Sequence, residues 1–362
     1  MRCLLLEHGH GRTLARRPRC EPERRGRSWN IYCKPPFGLL RVKFRCRAIF
    51  MKIFAAGATG AVGRRLIPLL RAAGHEIAGL TRSPSKAQLL RNLGARPVIA
   101  DALDATAIMD AVQREAPEAV IHELTAIGKV DLRNFDRGFA ATNRLRTEGT
   151  DHLLAAARAC GARRFIAQSF AGWTYERESG PVKTEDDPLD PRPPPGFRRT
   201  LEAIRYLESA VREETGLDGI VLRYGWFYGP GTAISTNGWM AGALRKRRVP
   251  IVGSGSGIWS FLHIDDAARF TAAAVTRGTP GIYNIADDDP APVSEWLPAL
   301  AAAIGARPPL KIPAWLGRFF LGDGLIFMTS VRGASNVKAK REFGLELIWP
   351  SWRDGFRAGL SD

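Results

Sequence analysis

From residue 51 onward, short continuous apolar runs alternate with segments in which apolar side chains recur every three or four positions. The apolar runs predict buried strands at 53–56, 76–81, 97–100, 119–124, 165–169, 219–224 and 281–286. The periodic segments predict helices at 66–71, 105–115, 139–159, 200–214, 240–246, 294–304, 313–321 and 349–356. Up to residue 169 strands and helices alternate without interruption. The pattern therefore predicts an α/β fold with a doubly wound parallel sheet and right-handed crossovers.

Three glycines follow the first predicted strand directly. Gly57, Gly60 and Gly63 stand at GxxGxxG spacing, and helical periodicity begins just after them. Glycine allows unusual φ/ψ values and a close backbone approach to a pyrophosphate, while the helix start offers free N–H groups. We therefore expect a bound dinucleotide, the alternative being a glycine-rich turn without a ligand.

The end of the second predicted strand bears on the choice between NAD and NADP. A carboxylate at this point holds the ribose 2′-hydroxyl of NAD, but the chain continues Thr81-Arg82-Ser83 without an acid. Arg82 is placed to meet a 2′-phosphate, which favours NADP, unless it is an ordinary solvated charge. Arg64 and Arg65 could add to the same phosphate site or be exposed helix residues.

The next two strand ends complete the predicted cofactor site. Asp101 could accept a hydrogen bond from the adenine amino group, while Asp104 has helix capping as its simpler role. The segment 125–128 is expected to pass the cofactor, and His122 is expected to be a packed strand residue rather than a base. The predicted cofactor-binding residues are Gly57, Thr59, Gly60, Ala61, Val62, Gly63, Arg64, Arg82, Ser83, Asp101, Ala102, Thr125 and Ala126.

Residues 1–50 differ in composition from the rest. They hold 13 Lys and Arg against three Glu, whereas residues 51–362 hold 40 Lys and Arg against 33 Asp and Glu. Most of the formal net charge of +17 therefore lies in residues 1–50. Four of the five cysteines also lie there, without CxxC spacing, and a zinc site with His8 or His10 is a minor alternative. We interpret this segment as a disordered or non-native extension rather than a transit peptide or a nucleic-acid-binding arm.

The body resembles the extended short-chain dehydrogenase/reductase superfamily, the NAD(P)-dependent epimerase/dehydratase family. The matching stretches are Gly57–Gly63, Asp101, 120–122, Asn143, 164–169, 222–230, 261–266 and 283–285. The resemblance implies a Rossmann domain at 51–230 and a smaller substrate-binding lobe at 231–362, from which a strand near 281–286 returns to the sheet. It also implies a small-molecule substrate, and homodimers through a helical face are common in the family.

The resemblance fails at the catalytic residues. The family's active members use Tyr-x-x-x-Lys as proton donor and cofactor anchor, yet no tyrosine after residue 51 has lysine four positions later. One alignment puts Thr200 and Ile204 at the dyad, and the other puts Phe197 and Leu201 there and fails equally. Ser169 matches the family's active-site serine, with a strand-end structural hydroxyl as its alternative role. Tyr175 and Tyr228 are the candidate acids, although either could line the substrate instead.

Two functions follow from these observations. The first is an NADP-dependent oxidoreductase or epimerase-like enzyme for a small carbonyl or sugar-like substrate, using an unusual acid or a product that needs no proton from the enzyme. The second is a catalytically silent NADP-binding redox sensor or scaffold. The body has one cysteine, Cys160, and no apolar run long enough for a membrane span, so we expect a cytoplasmic protein without a membrane or nucleic-acid partner.

Overall fold

The computed structural model describes the backbone of residues 19–25, 28–34 and 43–46, and residues 50–127 and 135–361 in full. The chain divides into two compact units, Met1–Phe50 and Met51–Asp362. In the first unit, three antiparallel strands are described: β1 (Arg19–Arg25), β2 (Ser28–Lys34) and β3 (Lys43–Cys46). Most of the predicted disordered extension, with His8 and His10, lies outside the described residues, so that interpretation stays a prediction.

The second unit contains fifteen strands and thirteen helices within the described residues. The strands are β4 (Lys52–Ala56), β5 (Glu76–Thr81), β6 (Arg96–Ile99), β7 (Ala119–His122), β8 (Arg164–Phe170), β9 (Val182–Lys183), β10 (Asp218–Tyr224), β11 (Trp226–Tyr228), β12 (Ile251–Val252), β13 (Ile258–Trp259), β14 (Phe261–His263), β15 (Gly281–Ile285), β16 (Ala291–Pro292), β17 (Lys311–Ile312) and β18 (Gly333–Ala334). The helices are α1 (Ala61–Ala72), α2 (Ala87–Leu93), α3 (Ala105–Glu115), α4 (Phe135–Arg146), α5 (Glu148–Ala159), α6 (Arg198–Glu213), α7 (Trp239–Arg245), α8 (Ile264–Ala274), α9 (Val293–Ala303), α10 (Ala314–Leu321), α11 (Ile326–Thr329), α12 (Val337–Phe343) and α13 (Trp352–Ala358).

A seven-stranded parallel sheet forms the centre of this unit. Its strand order is β15-β10-β8-β7-β4-β5-β6. The chain moves from β4 outward through β5 and β6, then returns to β7 on the other side of β4. This reversal creates a crevice at the carboxyl ends of β4 and β7, where open α/β sheets bind ligands. The predicted doubly wound α/β fold is confirmed.

Apolar clusters cover both faces of the sheet. One includes Leu66 and Ile67 of α1 and Ala267 of α8, and the other includes Val112 of α3 and Leu153 of α5. Burial on both faces explains why the strands are continuous apolar runs rather than alternating ones. A third cluster, rich in aromatic side chains, fills the C-terminal part of the chain.

The predicted helix at 139–159 is wrong as a single element. The structure has two helices, α4 and α5, separated at Thr147, whose ψ of −87° leaves the helical region. The Thr147 hydroxyl and the Thr147 amide both donate to the Asn143 carbonyl, and the Asp151 amide donates to the Thr147 carbonyl at 3.1 Å, so backbone hydrogen bonds still connect the two helices. Apolar periodicity continues on both sides of the break, so it did not indicate the interruption. The predicted terminal helix at 349–356 is likewise displaced, to Trp352–Ala358.

The proline-rich segment after β8 is anchored to the C-terminal part of the chain. Its short strand β9 pairs in parallel with β18. The amide of Gly196 also donates to an Asp323 carboxylate oxygen at 2.8 Å. Within the described residues, no helix is both long and apolar enough to cross a bilayer.

Candidate functional site

The glycine turn joins β4 to α1 at the crevice. Gly57 has φ +95°, and a Cβ there would lie 2.4 Å from the carbonyl oxygen of Glu123, at the end of β7. A Cβ on Gly63 would lie 2.5 Å from the Gly57 carbonyl oxygen. Both positions therefore need glycine, the first for its backbone conformation and both for space. Gly60 closes the turn by donating its amide to the Gly57 carbonyl at 2.9 Å.

The start of α1 fits a pyrophosphate. Gly60 is the N-cap residue, and within the described structure no side chain caps the helix and its first turn carries no acid. The helix therefore presents backbone N–H groups and the positive end of its dipole at the crevice. Thr59 and Ala61 are partly exposed at this point, whereas Val62 is buried in the core. These residues would hold the diphosphate of a nicotinamide dinucleotide.

The edge of the crevice at the end of β5 carries positive charge. Arg82 follows the end of β5 and is exposed, as is Arg64, whose Nε donates to the Thr59 carbonyl. The Ser83 amide donates to the Thr81 hydroxyl, which turns the chain at this point. Arg65 instead pairs with Asp265 of α8 at 2.6 Å, so it belongs to the packing of α1 against α8.

The remaining predicted cofactor contacts lie at the ends of β6 and β7. One carboxylate oxygen of Asp101 accepts from the Leu103 amide, which fixes the turn after β6. Ala102 is buried and its carbonyl accepts from His152, while Thr125 is exposed and the Ala126 amide donates to Thr142. Gly128 lies outside the described residues.

Asp104 and His122, at the same edge of the sheet, have the structural roles expected for them. Asp104 caps α3 by accepting from the Ala107 amide at 3.0 Å. His122 is fully buried, and its Nε2 lies 3.2 Å from both the Leu145 carbonyl and the Thr150 hydroxyl. Burial lowers the pKa of His122 to about 4, so the ring is neutral at physiological pH.

Glu123 is a buried carboxyl group beside the glycine turn that the sequence did not indicate. It directly follows β7, its backbone packs against Gly57, and its side chain is buried. The Tyr224 hydroxyl donates to Oε1 at 2.6 Å, while Oε2 is buried without a partner among the described residues. Burial raises the pKa of Glu123 to about 8. In the sequence, the only indication of its position is a charged residue directly after an apolar strand that would end beside the first glycine of the turn.

Ser169 and Tyr175 belong to one buried polar network. Ser169 donates to Glu208 of α6 at 2.6 Å, and Glu208 forms a two-armed ion pair with Arg223 of β10. Arg223 also donates to the Tyr175 hydroxyl at 2.9 Å, and this hydroxyl donates to Asn284 of β15 at 2.6 Å. Burial raises the pKa of Tyr175 to about 12. The network links three strands and α6, and within the described residues the Asn284 amide nitrogen is its one buried polar atom without a hydrogen-bond partner.

Tyr228 lies in the aromatic cluster of the C-terminal part. Its ring contacts His263 and Phe356 edge-on, and a Cβ on Gly355 would lie 2.1 Å from its hydroxyl. The hydroxyl is buried and has no hydrogen-bond partner in the described part of the chain. Burial, followed by the nearby carboxylate of Asp287, raises the pKa of Tyr228.

The two positions aligned with the family dyad are occupied by other interactions. The Thr200 hydroxyl donates to Asp136 at 2.6 Å and accepts from Asn143 at 3.1 Å. Ile204 is fully buried in the aromatic cluster. Neither position offers an acid with a pKa near neutrality or a cation, so the local geometry supplies no equivalent of the tyrosine–lysine pair.

Partly exposed aromatic rings adjoin the carboxyl end of β8. Residues alternate faces along a strand, so Phe170 points away from Ser169 and packs edge-on against Trp226, with 5.0 Å between ring centroids. Trp226 stacks on Trp259 at 4.2 Å, and Phe327 contacts both. Trp259 and Phe327 are buried, so only Phe170 and Trp226 offer a partly exposed, flat apolar face.

The comparisons with known proteins agree with this geometry. The model of the NAD dependent epimerase/dehydratase family matches residues 53–286. The chain belongs to this family. A 3-diazoavenalumate denitrifying reductase from Streptomyces sp. is 43% identical over 307 residues, which cover 84% of this chain and 99% of that protein.

Solved structures of family members share the fold. The Thermus thermophilus UDP-glucose 4-epimerase, in complex with NAD, has a TM-score of 0.65 at 22% identity and covers 86% of this chain and 98% of its own. A human epimerase family protein with NADPH has a TM-score of 0.65 at 19% identity, covering 85% and 98%. Relatives of this family are named as reductases and epimerases, which supports an NAD(P)-dependent oxidoreductase or epimerase-like enzyme and does not favour the silent sensor.

Proposed function

We propose that this protein is an NADPH-dependent reductase that replaces the diazo group of an aromatic acid by hydrogen and releases N2. The observation that carries the proposal is the replacement of the family's proton-donating pair by Thr200 and Ile204, which are already bonded or packed elsewhere. The 43% identical relative, whose name denotes a diazo substrate and a denitrifying reduction, supports the same chemistry.

The charge balance of this reaction explains why no acid is needed. Reduction of a carbonyl makes an alkoxide that must be protonated, which is the task of the family's tyrosine. A reduced nicotinamide bound at the glycine turn would supply a hydride. R–N2⁺ plus H⁻ would then give R–H and N2, with two electrons transferred and no net proton required. We infer that Ser169, Tyr175 and Tyr228 do not transfer protons, and that Ser169 and Tyr175 position the ends of β8, β10 and β15 through their network.

The substrate would be held by aromatic rings and a cation. Phe170 and Trp226 would bind a flat ring beside the crevice. Arg332 has a buried Nε without a hydrogen-bond partner in the described structure. It directly precedes β18, the strand that pairs with the segment after β8. We infer that its guanidinium pairs with the substrate carboxylate, since an unpaired buried donor gains most from an anionic partner.

For the cofactor we propose NADPH over NADH, with Arg82 as the determinant. The exposed guanidinium at the end of β5 and the missing acid there both suit a 2′-phosphate. Arg82→Ala is expected to weaken NADPH binding about 10- to 100-fold and to leave NADH binding unchanged, because the lost contact is a charge-assisted hydrogen bond. Equal affinity of the unaltered protein for both cofactors would contradict this assignment.

The single cysteine of the body, a free thiol at Cys160, supports a reducing, cytoplasmic location.

The function is tested by turnover of aryl diazonium carboxylates with NADPH. We expect three products in equal amounts: oxidised cofactor, ¹⁵N2 from the labelled substrate, and the aromatic acid with hydrogen in place of the diazo group. A panel of ketones and UDP-sugars is the comparison. Turnover of these compounds without diazo reduction would refute the proposal in favour of ordinary carbonyl or epimerase chemistry.

Matched variants separate the roles of the residues. Tyr175→Phe is expected to retain kcat for diazo reduction within about threefold, provided that the variant folds, and a loss of three orders of magnitude would instead identify an acid. Arg332→Met is expected to raise KM about 10-fold or more with little change in kcat, and Arg332→Lys to recover part of the loss. An Arg332→Met variant with unchanged KM would exclude carboxylate recognition there.

A further inference from the structure

Helix α10 presents its aromatic side chains to solvent rather than to the core. A Cβ on Gly317 would lie 2.1 Å from a methyl group of Val252, so this glycine holds the helix directly against β12. Residues two positions away on either side point to the opposite face of a helix. These are Trp315, which is 74% exposed, and Phe319, which is 70% exposed. Phe320, at 55%, contacts Phe319 edge-on.

A group of basic residues adjoins the same helix. Four consecutive cations, Arg245–Arg248, begin at the last residue of α7 and are exposed. Strand β12 pairs with β17, which leads into α10, and the Arg247 guanidinium donates to the Pro308 carbonyl. The further cations near α10 are Arg307, Lys311 and Arg318. We call these seven cations, with Trp315, Phe319 and Phe320, the aromatic–basic surface.

The aromatic–basic surface holds the excess positive charge of residues 51–362. The segments 239–257 and 304–321 contain no aspartate or glutamate, and their seven cations equal the whole excess of bases over acids in residues 51–362. Asp323, just beyond α10, is engaged with the Gly196 amide. The rest of the body is therefore balanced, and its positive charge is concentrated beside the exposed aromatic rings.

We propose that the aromatic–basic surface docks on an anionic lipid bilayer, with α10 lying in the headgroup region. Tryptophan and phenylalanine favour that region, and clustered Lys and Arg are attracted to anionic lipids. A two-fold dimer through this surface would place cations against cations, because the same patch meets itself. The proposal replaces the expectation of no membrane partner with reversible surface contact, and it is independent of the reaction catalysed.

The test is co-sedimentation of the full chain with vesicles. Wild type, Trp315→Ser/Phe319→Ser and Val337→Ser are compared on phosphatidylcholine alone and on phosphatidylcholine with 30% phosphatidylserine. Val337 is 66% exposed on α12 and serves as the matched control. Because residues 1–50 are themselves basic, the readout is the difference between wild type and variants rather than absolute binding.

We expect the double variant to bind anionic vesicles about 10-fold more weakly than wild type, and the control to match wild type. Wild-type binding should fall about 10-fold when salt is raised from 50 to 500 mM, because screening weakens the lipid attraction. Unchanged NADPH binding in the double variant would show that it is folded. A blue-shifted tryptophan emission on vesicles, present in wild type and lost in Trp315→Phe, locates the contact at α10.

Three outcomes would overturn the proposal. The first is equal vesicle binding by wild type and the double variant. The second is a wild-type dimer that the double variant dissociates, which would identify a second copy as the occupant. The third is single-stranded nucleic acid binding that the double variant loses while its vesicle binding is retained.

Discussion

Replacing Glu123 by glutamine should change how the stability of the protein depends on pH. In the folded state the carboxyl group is buried, accepts one hydrogen bond from Tyr224 and has a pKa of about 8 instead of 4.5. The folded protein therefore binds this proton more tightly than the unfolded chain does. Between these two pKa values folding takes up a proton, so the group's contribution to stability falls as pH rises.

The size of the effect follows from the pKa change. Each pH unit between the two values removes about 1.4 kcal/mol from the free energy of unfolding, so about 4 kcal/mol is lost between pH 5 and pH 8. Glutamine keeps the shape and can still accept from Tyr224, but it does not titrate. Glu123→Gln should match wild type near pH 5, apart from a constant offset, and become progressively more stable than wild type toward pH 8.

The measurement is urea unfolding of both proteins at pH 5, 6, 7 and 8, followed by tryptophan fluorescence. Only the difference between variant and wild type is used, so other titrating groups cancel. Glu202→Gln, an exposed change on α6, is the control and should give a difference that does not vary with pH. A constant difference for Glu123→Gln would show that this carboxyl is ionised in the fold, and the reasoning from burial would be refuted.

Three further results are expected. Gly57→Ala should weaken NADPH binding on the order of 10- to 100-fold in a fluorescence titration, because φ +95° and the Glu123 carbonyl at 2.4 Å both oppose a Cβ. Arg223→Met should lower the free energy of unfolding by about 3–5 kcal/mol, since it leaves Glu208 buried and unpaired, whereas Ser169→Ala should cost only about 1 kcal/mol. Burial lowers the pKa of His122 from 6.5 to about 4, so wild type should lose about 3 kcal/mol more than His122→Gln when pH falls from 6.5 to 4, as measured by urea unfolding. Equal losses on acidification would show that His122 titrates normally.

The sequence by itself determined the sheet, the glycine turn and the family. Strand and helix periodicities, and the spacing of Gly57, Gly60 and Gly63, are properties of neighbouring residues, so they can be read along the chain. The absence of the tyrosine–lysine pair is also visible there, and it led to the idea of a product that needs no proton from the enzyme.

The tertiary structure alone decided which polar groups meet. Ser169 meets Glu208 across 39 residues, Tyr224 meets Glu123 across 101, and Tyr175 meets Asn284 across 109. Burial raises the pKa values of Glu123, Tyr224 and Tyr175, and burial depends on the packing of distant elements rather than on local sequence. The orientation of α10 also depends on tertiary packing. The sequence predicts this helix, but only the contact of Gly317 with Val252 shows which of its faces points to solvent.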